Sequence, residues 1–155
     1  MELALEEARQ AEKKEEVPVG AVVVLEKKVI AKAHNLKENL KKATAHAEIL
    51  ALEQASDALG DWRLNGTTLY VTLEPCPMCA GALVHSRVER LVFGAHDPRW
   101  GAAGTLMNLV EDKRLNHRLK VQGGVLAQEA GQLLQNFFQQ RRGAGAAERG
   151  GFENR

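Results

Sequence analysis

The stretch Thr67-Thr68-Leu69-Tyr70-Val71-Thr72-Leu73-Glu74-Pro75-Cys76-Pro77-Met78-Cys79 decides the fold of this chain. Its first seven residues are rich in β-branched and aromatic side chains and predict a strand. Glu74-Pro75 predicts the start of a helix, because a first turn tolerates proline, whose missing N–H would have no intrahelical partner there. On such a helix Cys76 and Cys79 stand at i and i+3, so both sulfurs face the same way. A strand running into a helix is the repeating unit of an α/β architecture.

The flanking sequence repeats that alternation. Leu5, Ala8 and Ala11 at helical spacing, with Leu3 and Ala4, predict an amphipathic helix over about 2–14. Val17 to Leu25 is a β-branched run and predicts a buried strand, with Pro18 fitting only its first position. Glu26-Lys27-Lys28 predicts a turn, and 29–34 a returning antiparallel strand closed by Asn35. Residues 36–43, with three lysines, predict a solvated loop or irregular helix. A helix is expected over 44–58, with His46 and Glu48 in its first turn, and a loop over 60–66. Further strands are expected over 88–94 and 119–121, a loop over 96–104 and a short helical stretch at 106–110. The last helix, about 126–141, has one apolar face of Leu126, Ala130, Leu133, Leu134, Phe137 and Phe138. The order predicts three α/β/α layers.

Composition excludes several classes. A chain of 155 residues makes one domain with one sizeable core. No apolar run approaches the roughly 18 residues that span a bilayer. Met1 to Glu16 is acidic and helical in pattern, unlike a signal or transit peptide, so a cytoplasmic protein is expected. Lys and Arg number 21 against 20 Asp and Glu, a formal net charge of +1; any basic patch must therefore be local. Two cysteines make no disulfide framework, and a close pair in a reducing compartment points to metal or catalysis.

Cys-x-x-Cys alone leaves three readings open: a redox pair, half of a structural zinc site, or two core thiols. A redox pair belongs near the first β–α junction, whereas this one follows the third strand. A structural zinc takes four protein ligands, and His34, His85, His96 and His117 show no paired spacing. His46-Ala47-Glu48 favours a fourth reading. A catalytic zinc wants three N or S ligands, an open position for water and a nearby carboxylate. His46, Cys76 and Cys79 supply the ligands, and Glu48 the carboxylate that shuttles protons. A helix N-terminus stabilises thiolates, which favours metal binding at the cysteines.

His-x-Glu followed by Pro-Cys-x-x-Cys resembles the signature of the zinc nucleobase deaminases. Pro18-Val19-Gly20-Ala21, His46-Ala47-Glu48, Leu69 to Cys76, Gly94-Ala95-His96-Asp97 and Asn116-His117-Arg118 resemble, in order, the bacterial tRNA-specific adenosine deaminases. Phe137-Phe138 with Arg141-Arg142 resembles their C-terminal helix. The resemblance implies hydrolysis of adenosine to inosine at the wobble position of an arginine tRNA, releasing ammonia. It implies one Zn2+ per subunit, no organic cofactor, no membrane, and a homodimer that holds the tRNA anticodon stem-loop across both subunits. It also implies a cytidine-deaminase-like fold: a five-stranded mixed sheet with zinc between two helices. Residues 1–142 form the deaminase domain on this reading. The Gly-, Ala-, Glu- and Arg-rich 143–155 reads as a disordered tail.

On the substrate side, Asn35 matches a base- or sugar-contacting Asn of the family; otherwise it is a turn residue. Asp97 matches a residue near the target ribose, where a carboxylate accepts a 2′-hydroxyl proton; otherwise it forms a turn. Phe137 and Phe138 read as core, with one of them available to stack on a flipped base. Lys113, Arg114, Arg118 and Lys120 form one basic stretch and Arg141-Arg142 another, either contacting phosphates or forming a solvated face. Arg118 is counted among the substrate-binding residues. Trp100 is either a stacking platform or a dimer contact, and His96 occupies a position that varies in the family. Two rival functions remain: a deaminase of free guanine or cytosine, and a non-catalytic zinc RNA-binding protein, which would not need Glu48.

Overall fold

A computed structural model describes residues 1–144. In chain order its elements are α1 (Glu2–Lys13), β1 (Gly20–Leu25), β2 (Lys28–His34), α2 (Lys37–Leu40), α3 (Ala47–Leu59), β3 (Thr68–Leu73), α4 (Pro77–His85), β4 (Arg90–Ala95), β5 (Lys120–Gln122) and α5 (Ala127–Ala144). The strands form one mixed five-stranded sheet in the order β2-β1-β3-β4-β5. β1 runs antiparallel to β2 and β3, whereas β3, β4 and β5 are parallel. A parallel pair needs a crossover, and α4 supplies it between β3 and β4. α3 covers one face of the sheet with α4 beside it; α1 and α5 cover the other. This is the expected three-layer arrangement.

Leu69 and Val71 of β3, Leu91 and Phe93 of β4, Val23 of β1 and Leu83 of α4 fill the centre of the core. The α1 layer sits close to the sheet. It buries mainly small side chains, Ala4, Ala8 and Ala11, over Gly20. A Cβ at Gly20 would lie 2.0 Å from the Ala4 carbonyl oxygen and 2.5 Å from the Ala8 nitrogen. Helix backbone thus rests directly on strand backbone.

Several local expectations shift. β1 begins at Gly20, not Val17, because the Val19 N–H turns back to the Val17 carbonyl at 2.8 Å; Pro18 therefore lies outside the ladder. The β1–β2 turn is only Glu26 and Lys27, both at positive φ, the two-residue form whose twist matches a hairpin. The stretch 106–110 is not helical. The N–H groups of Leu106 and Leu109 donate to Gly101 and Ala102 at 2.9 and 3.0 Å, and Ala103 bridges Asn108 antiparallel. α5 continues through Gly143 and Ala144, which the sequence reading placed in the tail. The rest of that tail, 145–155, lies outside the described residues. Among the described residues no helix is long and apolar enough to cross a membrane.

Candidate metal centre

Both helices that carry the site begin about three residues later than their sequences suggest. His46 is extended (φ −75°, ψ 151°) and is the N-cap of α3, which starts at Ala47. Cys76 is likewise extended (φ −73°, ψ 172°) and is the N-cap of α4, with Pro77 at the first helical position. Pro75 is therefore not the first-turn proline. Glu74 is still tied to the sheet, its N–H donating to the Ala95 carbonyl at 2.8 Å.

With two N-caps side by side, His46 Nδ1 lies 3.6 Å from Cys76 Sγ and 3.4 Å from Cys79 Sγ. All three donor atoms fall within 4.8 Å of one another, and all three residues are buried. One imidazole and two thiols so placed can hold one metal ion. Glu48, one residue into α3 from Ala47, is fully buried. Two helix N-termini converge here, and their unpaired N–H groups and dipoles favour anionic sulfur.

The other singled-out residues separate. Leu73 and Ala95, the last residues of β3 and β4, open onto a cavity of about 360 Å³ walled by His96, Asp97, Arg99, Phe138 and Arg142. None of the three metal-site donors lines it; both features lie at the carboxyl ends of parallel strands, where open α/β sheets bind ligands. Asp97 Oδ1 accepts the N–H groups of Arg99 and Trp100 at 2.9 and 3.2 Å, so this oxygen shapes the loop. Phe137 is core, edge-on to Phe138 with the Arg141 guanidinium 5.0 Å from its ring centre. Phe138, half-buried, reaches the cavity. Asn35 is buried in a separate recess beside Glu16, Lys37 and Arg141, and its Oδ1 has no hydrogen-bond partner. Arg118 is exposed ahead of β5 and does not line the cavity.

Sequence reasoning missed two buried acids. Glu16 Oε1 and Oε2 accept the N–H groups of Asn39 and Glu38 at 2.7 and 3.2 Å, anchoring α2 just after Asn35. It lies in the charged run Lys13-Lys14-Glu15-Glu16, where no pattern marks it. Glu74 accepts N–H groups from Asp97, Ala103 and Thr105 and the Thr105 hydroxyl. Burial pushes its carboxyl up, but these four donors pull it further down, so it rests below the ordinary glutamate value. An acid wedged between an apolar strand and Pro75 was its only signal.

The chain matches a family profile described as MafB19-like deaminase over residues 1–142. It is 56% identical over 142 residues to a Bacillus subtilis protein named tRNA-specific adenosine deaminase, covering 92% of this chain and 88% of that one. Among solved structures it resembles one from work on A-to-I editing by tRNA:A34 deaminases at the wobble position of transfer RNA. That match has TM-score 0.84 and 46% identity and covers 86% of this chain and 97% of the other. A guanine deaminase from Nitrosomonas europaea matches less well, at TM-score 0.75 and 27% identity, over 86% and 80%.

Proposed function

This chain belongs to the tRNA-specific adenosine deaminase family, and from that premise we propose that it hydrolyses adenosine to inosine at the wobble position of a tRNA anticodon, releasing ammonia. The observation that carries this reading is the 56% identity over 92% of the chain to a relative of that name. The finer reading, an arginine tRNA, rests on the motif resemblance.

The metal is zinc on this reading. Zn–S of about 2.3 Å and Zn–N of about 2.0 Å at tetrahedral angles put sulfur and nitrogen roughly 3.5 Å apart. The two S···N separations here are 3.6 and 3.4 Å. His46 Nδ1, Cys76 Sγ and Cys79 Sγ would hold the ion, one per subunit. When bound there, zinc supplies a Lewis acid that brings the pKa of a water down to about 7. Glu48 is the proton carrier. It takes the proton that the attacking water loses and gives it to the ring nitrogen beside C6. The remaining water proton, on the hydroxyl added to C6, passes to the exocyclic amine, which leaves as ammonia while C6 keeps the oxygen.

The target base must leave its stack to reach this site. On this reading Asn35, whose unpartnered buried acceptor sits in its own recess, takes a polar group of the substrate, and Asp97, which lines the cavity, takes a ribose hydroxyl. Phe138 supplies a ring for stacking, with Phe137 behind it. Arg142 lines the same cavity, and Arg118 adds exposed positive charge for phosphates. A homodimer fits the loop after β4, which exposes Trp100, Leu106, Met107 and Leu115. A tRNA substrate supports a cytoplasmic location.

The test is incubation of metal-loaded protein with an arginine tRNA carrying wobble adenosine, beside free adenosine, cytosine and guanine. Inosine in the tRNA alone supports the reading. Ammonia from a free base with the tRNA untouched would make the protein a metabolic deaminase instead.

A further inference from the structure

Cys76 is followed by the helix that carries Cys79, and two residues before it stands the carboxylate of Glu74. Glu74 is fully buried, and its carboxylate accepts hydrogen bonds from the loop that follows β4. Its Oε1 accepts the Asp97 N–H at 3.2 Å and the Thr105 hydroxyl at 2.5 Å. Its Oε2 accepts the N–H groups of Ala103 and Thr105, both at 3.1 Å. The His96 ring stands 3.4 Å from Oε1 and edge-on to Phe93. Next to it the Pro75 carbonyl accepts the Ala102 N–H at 2.8 Å. At Gly101 an added Cβ would fall 2.5 Å from Glu74 Oε2, so the loop leaves room for this carboxylate by carrying no side chain there.

The segment held in this way carries His96, Asp97 and Arg99, which wall the cavity beside α5. A loop of this length with two glycines, Gly101 and Gly104, would otherwise sample many conformations. Resting on the RNA-deaminase reading, we infer that Glu74 is a positioning residue for substrate: its carboxylate locks the 96–105 loop onto the Pro75-Cys76 turn, so that the RNA-facing wall and the metal-bearing turn are held as one body. Glu74 does not touch the reacting atoms. Its effect is on how well the RNA finds its wall already formed, since ordering that wall at the moment of binding would weaken affinity.

Glu74→Gln keeps the shape but places an NH2 donor where an oxygen now accepts. Hydrogen bonds to a charged group are each worth about tenfold or more in an equilibrium. For the metal-loaded variant and an anticodon stem-loop RNA, KM should rise at least tenfold, with kcat changed less than threefold and bound metal unchanged. Amide hydrogen exchange over 96–105 should quicken at least tenfold, with that over 47–59 unaltered. Thr105→Val, which removes only the hydroxyl, should raise KM by about threefold or more, and Thr105→Ser should restore it. A merely structural role would lower the melting temperature and the active fraction without moving KM. Wild-type KM and loop exchange in both Glu74→Gln and Thr105→Val would overturn the inference, as would loss of metal with KM intact. Should Glu74→Gln fail to fold, the Thr105→Val and Thr105→Ser pair decides. The exchange measurement needs no turnover, so an inactive wild-type protein would defeat the functional reading and leave the positioning role to be judged by exchange alone.

Discussion

His46 and Cys76 hold the same position on two different helices: each is the N-cap, the last extended residue before the first turn, and their donor atoms lie 3.6 Å apart. Neither makes a side-chain cap hydrogen bond, so capping does not compete with a shared ion for these side chains. Helix capping and metal binding are therefore separable at these positions, which makes the first experiment clean.

Cys76→Ser should keep the fold, since serine is a better N-cap than most residues, while bound metal falls at least tenfold and deamination is lost. Metal content by atomic absorption beside a thermal melt measures both. Retained metal in Cys76→Ser would remove Cys76 from the ligand set.

Glu48→Gln should retain the metal and lose turnover by about 10²–10⁴-fold, the usual contribution of a positioned general acid–base group. Inosine formation under single-turnover conditions reads the rate. Joint loss of metal and activity would instead make Glu48 a support for His46.

Asn35→Ala should be mild for stability, within about 1 kcal/mol, because its buried Oδ1 gives up no hydrogen bond. The same change should raise KM for RNA by roughly threefold to tenfold, the worth of one hydrogen bond. An unchanged KM would return Asn35 to a turn-forming role.

Phe137→Ala and Phe138→Ala should differ despite their adjacency. Phe137 is buried at 5% exposure, and its truncation should cost about 3–5 kcal/mol. Phe138 faces the cavity and should cost roughly half of that, because only part of its ring leaves water on folding; its main effect should be on RNA affinity. Denaturant melts and RNA titration of the two variants read the contrast, and equal stability losses would contradict it.

Gly20→Ala should destabilise by about 1–3 kcal/mol or more, because the new methyl would meet the Ala4 carbonyl of α1. Chemical denaturation measures it. No loss would mean that α1 shifts away from β1 without cost.

Long periodic elements and local ligand spacing were legible without coordinates. The β3 run is a strand because its β-branched and aromatic residues fit a pleated surface wherever it sits. α1 and α5 announce themselves by apolar residues at helical spacing. The starts of α3 and α4 were misplaced by a few residues because an N-cap is defined by backbone dihedrals, and His and Cys are not among the residues that signal one. At 106–110 the apolar residues suggested a helix, but their N–H groups donate to Gly101 and Ala102, partners that only the folded loop presents.

The amino-acid order by itself marked the residues proposed to carry the chemistry: His46 and Glu48, and Cys76 and Cys79, are each spaced so that one helix start presents the pair, and helical geometry is local. What only the tertiary structure decided is everything that depends on contacts distant along the chain. It brought the His46 imidazole within 3.6 Å of sulfurs at least 30 residues away. It separated Phe138, at the cavity, from Phe137, in the core, and left Arg118 outside that cavity. It also turned Glu74 from an apparent helix-start acid into the buried anchor of a loop more than 20 residues downstream. A buried charge can exist only where donors from elsewhere surround it, and no local pattern in the chain records which donors those will be.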